Sequence, residues 1–169
     1  ADYAEQLKNG KYSDVPATKL LGKGGWLEIS DKNGKVVYST QSEPKTYTKG
    51  ELDWIQKFGS NETMELHELS DDPYYYLIVK TYYDESGQKQ DQFLALDSSY
   101  RVLSGNIPTT AGKTFTVREF DFLTYNAVHD KQTLTKYTFE GNDGETYYAI
   151  MLDQHESKNT AAYIRSEEH

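Results

Sequence analysis

Two nine-residue segments of this chain follow the same pattern, and their repetition constrains the fold more than any other feature. They read YTKGELDWI, from Tyr47 to Ile55, and FTVREFDFL, from Phe115 to Leu123. Each has an aromatic residue, Thr, two spacers, Glu, an apolar residue, Asp, an aromatic residue and an aliphatic residue. Three explanations compete: chance, a catalytic signature used twice, or a duplicated structural unit.

The repeated segment predicts the start of a helix. Thr48 and Glu51 have the T-x-x-E spacing of a capping box, and so do Thr116 and Glu119. In that motif the Thr hydroxyl accepts a hydrogen bond from the Glu amide, and the Glu carboxylate accepts one from the Thr amide. Paired-carboxylate catalysis is the alternative, but acids two positions apart on a helix do not face each other. The structural explanation therefore accounts for the pattern.

The residues around the two segments also match, and they predict two copies of one unit. Alternating apolar and polar residues indicate strands. The Asn33-Gly34 pair in the first hairpin favours a type I′ turn. We predict an α+β fold of two tandem β-β-α-β-β units with antiparallel sheets, Leu27–Tyr83 and Phe93–Asp153. The predicted strands are Trp26–Asp31, Lys35–Thr40, Thr63–Leu69, Tyr74–Tyr83, Gln92–Asp97, Arg101–Gly105, Thr133–Glu140 and Thr146–Leu152.

The ends of the chain suggest a piece of a larger protein. The start ADYAEQLKNG has the composition of a helix cut in mid-course, and the end YIRSEEH is polar. We expect an N-terminal helical arm over residues 1–23, the first unit over 24–84, the second over 85–153, and a C-terminal juxtamembrane segment over 154–169. Chance similarity remains the alternative to duplication, because short hairpins share their turn residues.

Composition excludes several classes of partner. The net charge is −9 and the isoelectric point is about 4.9, so we expect no nucleic-acid partner, because phosphate backbones repel such a surface. The chain has no Cys, which leaves no disulfide, thiolate ligand or Cys nucleophile. No apolar run reaches the roughly 18 residues of a membrane helix.

The sequence offers no catalytic constellation. His67-Glu68 and His155-Glu156 begin like a zinc protease motif, but the position of the second His holds Asp71 or Asn159. The run Asn142–Glu145 could bind a cation weakly, although a plain turn accounts for it. We therefore expect a protein that is not an enzyme and that has no metal site and no cofactor.

One stretch resembles a known family. The sequence GGWLEISDKNGKVVYST, followed by YTKGELDWI, resembles the extracytoplasmic sensor region of Firmicute membrane histidine kinases in two-component systems. The resemblance covers Gly24–Ile55. The second copy matches loosely, since it keeps Asp97 but has Ser-Ser-Tyr where the first copy has Lys-Asn-Gly. Two readings stay open: each copy is PAS-like, or the two copies together form one fold.

The resemblance implies a function. It implies a signal-sensing domain without kinase activity of its own, on the extracytoplasmic face of the cell membrane. Flanking helices outside this chain would attach it to the membrane. The partner would be an unknown small molecule or peptide, with a homodimer as a further possibility. Our hypothesis places ligand contacts between helix and sheet, with these candidate residues: Trp54, Tyr76, Arg118 and Tyr148.

Two other classes compete with the sensor. The first is a secreted or lipid-anchored binding module that holds a peptide or a cell-wall polymer along a sheet edge. The second is an enzyme, which would require a pocket with convergent titratable groups. The aromatic richness behind the ligand hypothesis, which includes 15 Tyr, is also consistent with an ordinary aromatic core.

Overall fold

The fold is α+β, with two four-stranded antiparallel sheets, as predicted. A computed structural model describes residues 3–59 and 62–154. The described residues form two compact units: the first contains residues 3–59 and 129–154, and the second contains residues 62–128. Of the juxtamembrane segment predicted over residues 154–169, residues 155–169 lie outside the described residues.

Short helices and eight strands alternate along the described chain. The helices are α1 (Tyr3–Lys8), α2 (Ala17–Leu21), α3 (Lys49–Leu52) and α4 (Val117–Val128), with a 3₁₀ turn at Tyr12–Asp14. The strands are β1 (Trp26–Asp31), β2 (Val36–Ser39), β3 (Thr63–Glu68), β4 (Tyr76–Tyr83), β5 (Lys89–Leu96), β6 (Val102–Gly105), β7 (Thr133–Glu140) and β8 (Thr146–Asp153).

Each sheet takes one hairpin from each sequence copy. The sheet of the first unit has the order β2-β1-β8-β7, and that of the second unit has the order β3-β4-β5-β6. The compact units therefore do not follow the boundaries 24–84 and 85–153. The cause is the pairing of β1 with β8, which runs in continuous register from Trp26 with Leu152 to Asp31 with Tyr147. In both sheets the first strand of one copy lies beside the last strand of the other copy.

An Asp side chain shapes the first hairpin of each copy. The Oδ1 atom of Asp31 accepts hydrogen bonds from two backbone amides of its turn at 2.9 Å, and Asp97 does the same at 2.9 and 3.0 Å. The type I′ prediction was wrong, because it requires positive φ at both central residues and Asn33 does not have it. Gly34 has φ 92°, and Tyr100 occupies the equivalent position with φ 67°.

The leading residues belong to the core of the first unit. Leu7 in α1 is fully buried, and Leu21 in α2 is almost fully buried. Both belong to the apolar cluster that contains Leu27, Ile29 and Met151 on one face of the sheet. Residues 3–23 are therefore packed against the sheet and do not form a separate arm.

Both predicted capping boxes are present. The Glu51 amide donates to Thr48 Oγ1 at 3.1 Å, and the Thr48 amide donates to Glu51 Oε1 at 2.9 Å. The Glu119 amide donates to Thr116 Oγ1 at 3.0 Å, and the Thr116 amide donates to Glu119 Oε1 at 2.9 Å. The repeated nine-residue pattern is therefore a helix start in both copies.

The helix after Thr48 has only four residues. It ends at Leu52, whereas the apolar residues Ile55 and Phe58 continue near helical spacing. The Phe58 amide instead donates to the Lys136 carbonyl at 2.6 Å, and the Lys136 amide donates to the Gln56 carbonyl at 2.9 Å. This segment lies parallel to β7. Pairing with a strand distant in sequence therefore overrides the local helical preference.

We predict that Thr116→Ala lowers the free energy of unfolding by about 1 kcal/mol, because the first turn of α4 loses its side-chain acceptor. Urea unfolding followed by circular dichroism measures the change. Thr116→Ser keeps the hydroxyl and is the matched control, with a free energy of unfolding close to that of the wild type. Equal destabilisation by both variants would show that the cap oxygen is not the cause.

Candidate functional site

Strand β7 forms an edge of the first sheet. Along an antiparallel pair, the backbone groups of successive residues point alternately to the partner strand and to the outside. The Lys136 amide bonds the Gln56 carbonyl, and the Lys136 carbonyl bonds the Phe58 amide. The backbone N–H and C=O of Lys136 therefore point away from β8. The pairing of β7 with β8 continues without a bulge. The backbone groups of Thr138 and Glu140 therefore also point outward.

The outer edge is occupied at its start and open at its end. Gln56–Phe58 bonds the edge at Lys136, and the chain turns at Phe58 and Gly59. Within residues 3–59 and 62–154, no hydrogen bond reaches the outward amide or carbonyl of Thr138 or Glu140. Both residues are exposed to solvent. With respect to the described residues, the edge thus presents two donors and two acceptors in strand geometry.

Helix α1 forms a wall beside this open edge. Ala4, Glu5 and Lys8 of the helix, together with residues 137–141, line a groove of about 510 Å³. Charged side chains are exposed on both sides of the groove: Glu5 and Lys8 on α1, and Glu140 on β7. A groove with backbone groups along its floor and side chains on its wall can hold an extended chain.

The wall is fixed to the turn that follows β7. The Asn142 amide donates to the Lys8 carbonyl at 3.0 Å, and the Asn142 side chain donates to the side chain of Asn9. Leu7 is fully buried in the same helix. These contacts hold α1 at the groove without occupying the outward groups of β7.

A second cavity of about 270 Å³ adjoins the groove and shares Lys8 and Gly141 with it. Tyr12, Asp143 and Tyr147 contribute to its lining. The Tyr147 hydroxyl donates to Asp143 Oδ2 at 2.6 Å, and the Glu145 amide donates to Oδ1 at 3.0 Å. The second cavity therefore combines aromatic rings with a positioned carboxylate.

The Asp143 carboxylate is held in its ionised form. The Tyr147 hydroxyl and then the Glu145 amide lower the pKa of Asp143 by hydrogen bonding to its charged form. The same bond raises the pKa of Tyr147 to about 12, because the hydroxyl proton is shared with an anion. Asp143 is thus a fixed negative charge at neutral pH.

A buried lysine lies on the opposite face of β7. Lys136 is only 7% exposed, and its Nζ donates to the Leu52 carbonyl at 2.6 Å and lies 5.2 Å from the Tyr148 ring centroid. Burial lowers the pKa of Lys136, the charge of Asp53 opposes that shift, and the charge of Lys57 adds to it. The ammonium caps the C-terminal end of α3 by donating a hydrogen bond to one of its last carbonyls.

The sequence-predicted ligand residues are divided between the two units. Trp54 and Tyr148 belong to the first, and Tyr76 and Arg118 to the second. Neither cavity described above is lined by any of them. Their role in binding stays a prediction, and the contacts of three of them are with other side chains.

Those contacts are mainly aromatic. The Tyr76 ring centroid lies 5.0 Å from that of Phe120 and 5.6 Å from that of Tyr100. The Arg118 guanidinium lies 5.2 Å from the Phe122 ring centroid. Tyr148 is the ring beneath Lys136. In these cases aromatic packing accounts for the residue type.

The sequence reasoning did not identify the residues of the groove. Thr138 and Glu140 look like any exposed positions of an alternating strand, and their outward backbone groups depend on which strand forms the edge. The sequence marks Asp143 only as part of a possible weak cation site. No local signal marks Tyr12 as its neighbour.

Comparisons with known proteins give no match: no family model, no curated protein and no solved structure matches this chain. Within the two described ranges, no helix has both the length and the apolar character needed to span a membrane. In the same ranges, no three His, Asp or Glu side chains are grouped as metal ligands.

We predict that Lys136 makes stability rise with pH between its lowered pKa and the ordinary value of 10.5. In that range the unfolded chain binds more protons than the folded chain, so the free energy of unfolding increases with pH. Tyr147, with its pKa raised to about 12, opposes this only above the ordinary tyrosine value of 10.0. Urea unfolding from neutral pH to about pH 10 measures the slope.

The variant that tests this is Lys136→Met. Its free energy of unfolding should rise less steeply with pH than that of the wild type. Lys89 is exposed, so Lys89→Met is the matched control and should keep the wild-type slope. A wild-type slope in Lys136→Met would contradict the assignment of the effect to the buried ammonium.

Proposed function

We propose that this chain is a non-catalytic binding domain that captures an extended polypeptide segment at the open edge of β7. The observation that supports this function is the pair of outward amides and carbonyls at Thr138 and Glu140, which have no hydrogen-bond partner in the described residues. An added strand would pair with these groups, and main-chain bonding of this kind supplies affinity in known peptide-binding domains.

The neighbouring part of the same edge supports the proposal. Gln56–Phe58 already pairs with β7, so an extended chain fits beside this strand. The four outward groups would contribute about 1 kcal/mol net for each hydrogen bond. The remaining affinity would come from side chains in the groove beside α1, which is lined by Ala4, Glu5 and Lys8.

The sensor function is the second candidate. We propose that the domain lies on the extracytoplasmic face of a membrane as the sensor region of a histidine kinase. The support is the resemblance of Gly24–Ile55 to such sensor regions. A peptide at the β7 edge would act as a signal if it bound one of two conformations more tightly.

The complete coding sequence tests the second candidate. Membrane helices on both sides of this chain, followed by a kinase region, would support the sensor. A single lipid-attachment signal without a kinase region would rule it out and would favour the secreted or lipid-anchored module that binds a peptide or cell-wall polymer.

The duplicated PAS-like arrangement is also a proposal. The matching order of hairpins in the two sheets supports a duplication in which the copies exchange hairpins. If this is correct, the isolated half, residues 85–154, should form a dimer that pairs its two hairpins across copies. A folded monomer in gel filtration would contradict it.

We predict that Thr138→Pro weakens the binding of an extended peptide roughly tenfold or more, because it removes an outward amide and places a ring at the edge. Thr138→Ala keeps the amide and is the matched control. Isothermal titration calorimetry with a peptide of alternating Thr and Val measures the affinity. Thermal unfolding of both variants shows whether the fold is retained.

Amide hydrogen exchange on the wild type gives a test that needs no substitution. Bound peptide should slow exchange at Thr138 and Glu140 and leave the paired amides of β7 unchanged. Binding that leaves both edge amides unprotected would contradict the proposed site.

A further inference from the structure

We infer that the captured segment carries a Lys or Arg side chain that enters the second cavity, against Asp143 and beside Tyr12 and Tyr147. The inference rests on the proposed strand addition at β7 and names the chemistry of the partner. It makes the ligand a basic extended segment of another polypeptide.

The position of the second cavity supports the inference. Gln56–Phe58 occupies the edge at Lys136, so an added segment can extend only past Glu140. Gly141 follows at that end of the strand and lines both the groove and the second cavity. A residue just beyond the paired part of the segment would therefore reach Asp143, in either strand direction.

The chemistry of the second cavity favours a cation. The Asp143 carboxylate accepts hydrogen bonds from the Tyr147 hydroxyl and the Glu145 amide, and its own backbone amide also stabilises the charged form. A carboxylate has about four acceptor positions, so these contacts do not use all of them. Asp143 is exposed and lines the second cavity, so its carboxylate can be reached from water there. Tyr12 and Tyr147 line the same cavity, and aromatic rings attract an ammonium or guanidinium group that lies over them.

Glycine at position 141 keeps this arrangement possible. A Cβ atom there would lie 2.8 Å from Asp143 Oδ1 and 2.9 Å from the Tyr147 ring. Any larger residue would displace the carboxylate or the ring. The close approach lets the end of β7 lie directly beside both groups.

The surrounding charges mostly act in the same direction. The chain has a net charge of −9, and Glu5 and Glu140 are exposed at the groove. Lys8 is the opposing charge, since it lines both cavities. Its ammonium has no ion-pair partner among the described residues and is exposed, so it can turn toward water.

Three peptides test the inference. They share a core of alternating Thr and Val and carry Lys, Gln or Glu at one end or the other. The Lys peptide should bind the wild type about tenfold more tightly than the Gln peptide, a difference that added salt reduces. The end at which Lys acts reports the strand direction. Equal binding of the Lys and Gln peptides at both ends, or tightest binding of the Glu peptide, overturns the inference.

Two variants assign the effect to the cavity. Asp143→Asn keeps an oxygen acceptor for Tyr147 but removes the charge, and it should abolish the preference for Lys over Gln. Lys8→Gln removes the opposing charge and should increase that preference. Thermal unfolding confirms that both variants are folded. A preference unchanged in both variants also overturns the inference.

The outcome separates this inference from the proposed function. If Lys and Gln peptides bind equally and Thr138→Pro still weakens both, the basic anchor is wrong and strand addition stands. If the peptides bind and Thr138→Pro has no effect, or none of them binds the wild type, strand addition is wrong and the anchor with it. Gel filtration showing that the β7 edge instead joins two copies of this chain has the same consequence.

Discussion

The pairing of β1 with β8 is the interaction on which the first unit depends. It joins the hairpin near the start of the chain to the hairpin near its described end over six residue pairs. Because β7 follows β8 outward in the sheet order, this pairing makes β7 an edge strand. The groove, the second cavity and the position of Lys136 all follow from that one contact between distant parts of the sequence.

Several features that depend on neighbouring residues could be predicted from the sequence, although the turn type at Asn33-Gly34 was not among them. Features that depend on distant pairing could not be predicted. The capping boxes at Thr48 and Thr116 and the strand segments are local, so residue type and spacing identify them. The choice of β8 as the partner of β1 is not local, because the same apolar alternation would allow β1 to join strands of its own copy. The early end of α3 could not be predicted for the same reason, because it depends on the hydrogen bond between Phe58 and the distant Lys136.

Lys136 makes hydrogen bonds both at the sheet edge and on one face of the sheet. Its backbone holds Gln56–Phe58 on the sheet edge, while its ammonium binds the Leu52 carbonyl on one face of the sheet. Burying an ammonium is unfavourable unless it is well paired, and here a carbonyl, the Tyr148 ring and the charge of Asp53 compensate. The residue therefore fixes how much of the edge is covered and where the open part begins.

An open sheet edge carries a risk of self-association, which natural proteins limit with charges, bulges or covering segments. Here Gln56–Phe58 covers the start of β7, and the exposed Glu140 lies on the part left open. Two copies that paired at this edge would also bring together chains with a net charge of −9 each, and such repulsion disfavours the contact. A basic extended segment would instead be attracted by the negative charge of the chain. The same charges that restrain self-pairing would therefore select the partner.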